Sequence, residues 1–226
     1  MIILLLAAMD KEINLLTNLL FDVQIIEKPT VKYWKGNLNN NIIYLAKCGI
    51  GKVNSALNAN NLIRLLKPDL VINSGVAGGA GLPIGSILIA DRVCYHDVWC
   101  GPGTDYGQVD GFPLYMIPSE KVLQGVKESE MKDRLKIGLI CSGDKFISCR
   151  EEISYIRSKF PEVKAVDMES ASVAQTCMFN SIPFAIIRIV SDTPGEGENI
   201  FQYKDFWEKA PEKLFNVISD ILKEIK

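Results

Sequence analysis

Five short stretches of the chain pair reactive residue types with glycines or helix starts that would let a ligand approach. They are Ala8-Met9-Asp10-Lys11-Glu12, Asn73-Ser74-Gly75-Val76-Ala77-Gly78-Gly79, Cys141-Ser142-Gly143-Asp144-Lys145-Phe146-Ile147, Val166-Asp167-Met168-Glu169-Ser170 and Arg188-Ile189-Val190-Ser191-Asp192. Glu12, Glu169 and Asp192 are carboxylates of the kind that give or take protons in general acid–base catalysis. Taken singly, each also has a simpler structural role. Glu12 and Glu169 suit the first turn of a helix, where the dipole favours an acid, and Asp192 suits a turn. The glycine run at 73–79 follows a strand and lets backbone come close to a ligand, with a tight turn as its structural alternative. It has neither G-x-G-x-x-G nor the Lys-Ser/Thr of a Walker loop, so a dinucleotide or triphosphate site is poorly supported.

Composition removes other chemistries. The 226 residues contain one histidine, His96, which excludes a multi-histidine metal site. The six cysteines (48, 94, 100, 141, 149 and 177) form no C-x-x-C pair and read as reduced, mostly buried thiols of a cytoplasmic protein. No metal or cofactor is expected. Lys plus Arg is 25 against 27 Asp plus Glu, a net charge of −2, which gives no basis for a nucleic-acid or anionic-membrane surface.

The elements that must position these stretches alternate. Apolar runs of strand length occur at Ile2–Ala8, Ile42–Lys47, Leu70–Asn73, Ser86–Val93, Leu135–Cys141 and Phe184–Val190. Most lack polar alternation, as strands covered on both faces require. The first of them, within Met1–Met9, lacks a basic start and is too short to span a bilayer, so it reads as a buried strand and not a targeting segment. Helical periodicity marks 10–20, 51–67, 168–179 and 203–225, the last interrupted at Pro211. A hairpin over 33–47, turning at 37–41, adds antiparallel pairing. One domain, 1–226, with an α/β layered fold and a parallel or mixed sheet follows. In such folds ligands sit beyond the carboxyl ends of strands, where four of the five stretches lie, while 166–170 opens a helix.

The stretches in combination resemble the 5′-methylthioadenosine/S-adenosylhomocysteine nucleosidase family of the purine nucleoside phosphorylase superfamily. The resemblance runs over nearly the whole chain. AAMDKEINLL at 7–16, CGIGKVNSA at 48–56, NSGVAGG at 73–79, YHD at 95–97, SGDKFI at 142–147, VDMES at 166–170 and RIVSD at 188–192 carry it. It implies a three-layer α/β/α fold around a twisted mixed sheet, a homodimer, and hydrolysis of the N-glycosidic bond of methylthioadenosine or S-adenosylhomocysteine.

That reaction needs a proton for the departing purine and a directed water for the sugar. By resemblance Asp192 is the acid and Glu12 the base, while Glu169 takes the ribose hydroxyls with Met168 beside it. Phe146 stacks on adenine and the Ile147 backbone meets its polar edge. Ala77, Gly78 and Ser191 line the base or ribose, Met9 and Ile50 the sugar and its 5′ side, and Phe206 the pocket for the 5′-substituent. Arg188 belongs to the surrounding network, where direct contact with Asp192 would oppose protonation.

Phosphorolysis, the closest alternative, needs cations for a phosphate dianion. No arginine precedes Arg64, and Asn73 and Val76 stand where phosphorylases of the superfamily carry an arginine and a hydroxyl. Two segments depart from the family pattern: Val98 to Gly107, in a region that reaches the neighbouring subunit's pocket in family dimers, and Thr193 to Glu198. His96 is expected to be structural.

Overall fold

The structure is a computed structural model that describes residues 1–128, 133–209 and 211–224. Nine strands form one mixed sheet: β1 (Ile2–Ala7), β2 (Phe21–Lys28), β3 (Val31–Leu38), β4 (Asn41–Lys47), β5 (Leu70–Gly79), β6 (Ile87–Tyr95), β7 (Leu135–Ser142), β8 (Val163–Asp167) and β9 (Phe184–Asp192). The helices are α1 (Asp10–Thr17), α2 (Lys52–Leu66), α3 (Glu120–Glu128), α4 (Arg150–Lys159), α5 (Ser170–Phe179), α6 (Asn199–Lys209) and α7 (Pro211–Glu224). Among the described residues no helix is long and apolar enough to cross a membrane.

The hydrophobic start of the chain explains the layers. β1 is paired in parallel with β4 on one side and β5 on the other, so it lies inside the sheet. Successive side chains point to opposite faces. Ile3, Leu5 and Ala7 pack with α1, α3, α6 and α7, whereas Leu4 and Leu6 pack with α2 and α5. A strand buried on both faces must be apolar throughout, as this one is. The result is helix, sheet, helix. α4 closes a smaller cluster through Ile153, Ile156 and Phe160.

The strand order is β2-β3-β4-β1-β5-β8-β7-β6-β9, and β9 returns to pair with β5. Five strands, β5, β8, β7, β6 and β9, therefore close on themselves. β5 is the joint. Leu70–Asn73 pair with β1, Gly78 and Gly79 pair with β8 in the antiparallel sense, and Val71 to Gly78 run beside β9. Between its β1 partner and its β8 partner, one edge of β5 is open, and the sheet forks there.

Several expectations are corrected. The glycine run is no loop. It continues β5, and Gly75, Gly78 and Gly79 are absent from the positive-φ glycines, so close approach, not turning, calls for glycine. Likewise β9 extends to Asp192. The stretch 166–170 ends a strand before it opens a helix: β8 runs to Asp167 and α5 starts at Ser170. β2, α3, α4 and β8 lay outside the predicted elements. β2 is almost wholly exposed and carries no core alternation, and β8 has five residues with a lysine at its second position. Asn39 and Asn40, both with positive φ, make the β3–β4 turn, the backbone a two-residue hairpin requires. α6 ends at Lys209 and α7 begins at Pro211, a favoured first helical position for proline. The expected helix end at 225 lies outside the described residues, as do 129–132, 210 and 226.

Candidate active site

The fork in the sheet creates a backbone problem that Glu12 solves. Glu12 is the third residue of α1, and its side chain turns back over the helix start. Oε2 accepts the N–H groups of Ala8 (2.9 Å) and Met9 (3.0 Å), just past the end of β1. Oε1 accepts the N–H of Val76 (3.1 Å), on the edge of β5 that no strand covers. Three donors on one carboxylate favour its ionised form. Its near-complete burial opposes them, and the balance leaves Glu12 above the usual carboxylate range.

Asp192 stands opposite Gly78, two residues beyond Val76 on β5. Asp192 is 2% exposed, and burial raises it to about 6, against the pull of the Ser191 hydroxyl, which donates to Oδ1 at 2.6 Å. Asn199 donates to Oδ2 at 3.0 Å.

Glu12 and Asp192 open into one cavity of ≈ 190 Å³. Met9, Ile50, Ala77, Gly78, Phe146, Ile147, Met168, Glu169 and Ser191 also line it. Glu169 caps α5 and accepts the N–H of Gly51 at 2.9 Å. Burial, with the Asp167 carboxylate nearby, raises it to about 8. Phe146 is 42% exposed at the mouth, its ring centroid 5.8 Å from that of Tyr203 in an edge-to-face arrangement.

Two residues expected at the site stand elsewhere. Phe206 is a core residue, 3% exposed on the buried side of α6 and edge-on to Trp207. Tyr203, one helical turn earlier, lines the cavity, its hydroxyl 3.4 Å from the sulfur of Met9. Helical phase decides this: residues three apart lie on adjoining parts of a helix face, and only one meets the cavity. Arg188 lies below the cavity wall. Its Nε donates to Asp167 Oδ2 at 2.7 Å, and its other nitrogens donate to the Asn73 carbonyl (3.0 Å) and side-chain oxygen. The opposition between Arg188 and a protonated Asp192 is thus resolved by Asp167, which claims the guanidinium.

Asp167 was missed as a site residue although it lies in the quoted VDMES fragment. It lines the cavity and is held by Arg188 and by the hydroxyls of Ser142 and Ser170. A fully buried arginine in an apolar strand is the signal that could have found it, since such a charge requires a buried acid. Val76, Lys145 and Asn199 were also missed as site residues. His96 is buried against Gly143, where a β-carbon would collide with its ring, and burial lowers its basicity.

The family model described as "Phosphorylase superfamily" matches residues 2–223. A 5′-methylthioadenosine/S-adenosylhomocysteine nucleosidase of Staphylococcus aureus (strain MRSA252) is 35% identical over 223 residues, which is 96% of this chain and 97% of that protein. The chain belongs to this nucleosidase family. The nucleosidase of S. pneumoniae, solved with the transition-state inhibitor MT-ImmA, superposes with a TM-score of 0.93 at 32% identity, covering 100% of both chains. That of Colwellia psychrerythraea 34H, in complex with adenine, gives a TM-score of 0.91 at 31% identity over 100% of this chain and 96% of the other.

Within the phosphorylase superfamily, the charge of the cavity wall bears on the nucleophile. Lys145 is the one cationic side chain lining the cavity among the described residues; it is 65% exposed and paired with Glu152. Arg188 is saturated by Asp167 and Asn73. Four buried acids, Glu12, Asp167, Glu169 and Asp192, surround the space instead, and of these only Asp167 is paired with an arginine.

Proposed function

We propose that the protein hydrolyses the N-glycosidic bond of 5′-methylthioadenosine and S-adenosylhomocysteine, releasing adenine and the thioribose product. The observation that carries this is the pairing of two differently held acids in one cavity. Asp192 is partly protonated near neutrality and suits a proton donor to the purine. Glu12, with both oxygens gripped by backbone N–H groups, suits a fixed acceptor that orients and deprotonates water. Such groups contribute typically ~10²–10⁴ each in rate.

In this reading Glu169 receives the ribose hydroxyls, Phe146 and Tyr203 flank the base at the mouth, and the Ile147 backbone meets its polar edge. Arg188 and Asp167 hold the floor. Water is favoured over phosphate because a dianion would face the Glu12 carboxylate with no free guanidinium to offset it. The chain acts as one domain and pairs with a second copy. Exposed Val53 and Leu57 on α2, and Trp99 in the 98–107 segment, support a covered apolar surface near the half-exposed Ile50 at the cavity mouth. Free, buried Cys48, Cys94, Cys141 and Cys177 support a reducing, cytoplasmic setting. The role is salvage of methylthioadenosine toward methionine.

The test is adenine release from both nucleosides in phosphate-free buffer, repeated with phosphate. Turnover without phosphate, abolished in Asp192→Asn and in Glu12→Gln, is the expected result. Cleavage strictly dependent on phosphate would overturn the hydrolytic reading.

A further inference from the structure

Asn199, the first residue of α6, is 4% exposed and makes two contacts that join separate parts of the site. Its Nδ2 donates to Asp192 Oδ2 at 3.0 Å and to the carbonyl of Ile147 at 3.2 Å. Its Oδ1 has no partner among the described residues. Both neighbours are acceptors, so only the nitrogen can serve them, and the oxygen is left buried and unpaired. An apolar side chain here would leave Asp192 Oδ2 and the Ile147 carbonyl without this donor. With Ser191 on Oδ1 and Asn199 on Oδ2, the Asp192 carboxyl group is gripped at both oxygens, from its own strand and from α6.

We propose that Asn199 is a positioning residue that holds the proton-donating Asp192 and the base-reading segment 145–147 in one register. The inference rests on the hydrolase reading of Asp192. An N–H donated to a carboxylate stabilises its ionised form, the state left once the proton has passed to the departing base. Removing that donor lets Asp192 keep its proton to higher pH. The other charged or titratable groups around the same cavity are Glu12 from α1, Glu169 at the α5 cap, Asp167 at the end of β8, Lys145 and Tyr203. Arg188, also on β9, is engaged by Asp167. Asn199 hydrogen-bonds to none of them.

The experiment is the pH profile of kcat with saturating methylthioadenosine for Asn199→Leu, which keeps volume without donors, and Asn199→Asp, which sets a second carboxylate beside the first. At pH 7 kcat of the leucine variant falls about tenfold or more while KM changes by less than about threefold. The alkaline limb moves upward in the order wild type, leucine, aspartate. Asn199→Ala replaces the leucine variant should that one fail to fold. Superimposable limbs, with or without a loss of kcat, would overturn the proposal, because a merely structural residue lowers the amplitude without moving the limb. Asp192→Asn in parallel separates the two readings. Undiminished turnover there removes Asp192 as the acid and this inference with it, whereas a dead Asp192→Asn with superimposable limbs removes only the role of Asn199.

Discussion

Gly75 makes room for the Glu12 carboxylate: a β-carbon built on Gly75 would stand 2.8 Å from Glu12 Oε1. That oxygen is also bound by Val76, the next residue, so the carboxylate cannot slide aside without losing an N–H donor. Gly75→Ala should therefore displace the base while leaving the strand paired. A shift of about 1 Å in a catalytic group can cost ~10² in rate. We expect kcat for adenine release to fall by about that factor with KM little altered; wild-type turnover would show that Glu12 tolerates displacement.

The alkaline limb of kcat/KM should report the free-enzyme Asp192. Its proton-bearing fraction drops as pH rises through about 6. Rates should then decline by about tenfold per unit above that limb. The acid limb belongs to Glu12 and should lie above the ordinary glutamate range, because burial outweighs its three backbone donors. A profile from pH 4.5 to 9 that stays level on the alkaline side would contradict the assignment.

Glu169 makes stability fall as pH rises. Its folded value of about 8 exceeds the ordinary 4.5, so between those pH values the folded chain holds a proton that the unfolded chain has released. The stabilisation is complete below the lower value and lost as pH climbs through the upper one. Glu169→Gln should raise Tm more at pH 9 than at pH 5, by on the order of a few °C. An equal effect at both pH values would refute this.

Arg188→Ala strands the Asp167 carboxylate in the core, 2% exposed, with only hydroxyls and backbone for company. Breaking such a pair costs about 3–5 kcal/mol, which lowers Tm by roughly 6–20 °C in a chain of this size. Lys47→Ala removes a pair with Asp10 of similar length, 2.7 Å, but with side chains 44% and 76% exposed. That loss should be under ~1 kcal/mol. Thermal melts of the two variants provide the comparison.

Phe206 and Tyr203 should separate cleanly. Phe206→Ala empties a core site and costs ~3–5 kcal/mol of stability. Tyr203→Ala, on the cavity side, should raise KM severalfold with a smaller change in Tm. The reverse pattern would return Phe206 to the pocket.

What the sequence disclosed and what it concealed follow from physical causes. β1, β7 and β9 were legible because strands buried on both faces must be apolar throughout. Glu12, Glu169 and Asp192 stood in short fragments whose order carries the family likeness. The glycine run was placed after its strand, with close approach as its reading and a tight turn as the alternative, because glycine weakens the apolar strand pattern; the pairing with β9 puts it inside the strand. Tyr203 and Phe206 are both aromatic and three apart, so the choice depends on helix rotation set by tertiary packing. Asn199 carries no sequence mark at all, because its meaning lies in a contact with Ile147 more than fifty residues away along the chain.

The closure of β9 onto β5 leaves β2 as the one terminal strand of the sheet among the described residues, with its outer side unpaired. An open flank is where foreign chains add on and polymers grow. Phe21, Val23 and Ile25 are exposed there, yet the strand is broken by an irregular register between Phe21 and Gln24, with Asp22 at positive φ, and ends in Glu27 and Lys28. This one seam, kinked and charged, is where the molecule guards against fibril growth.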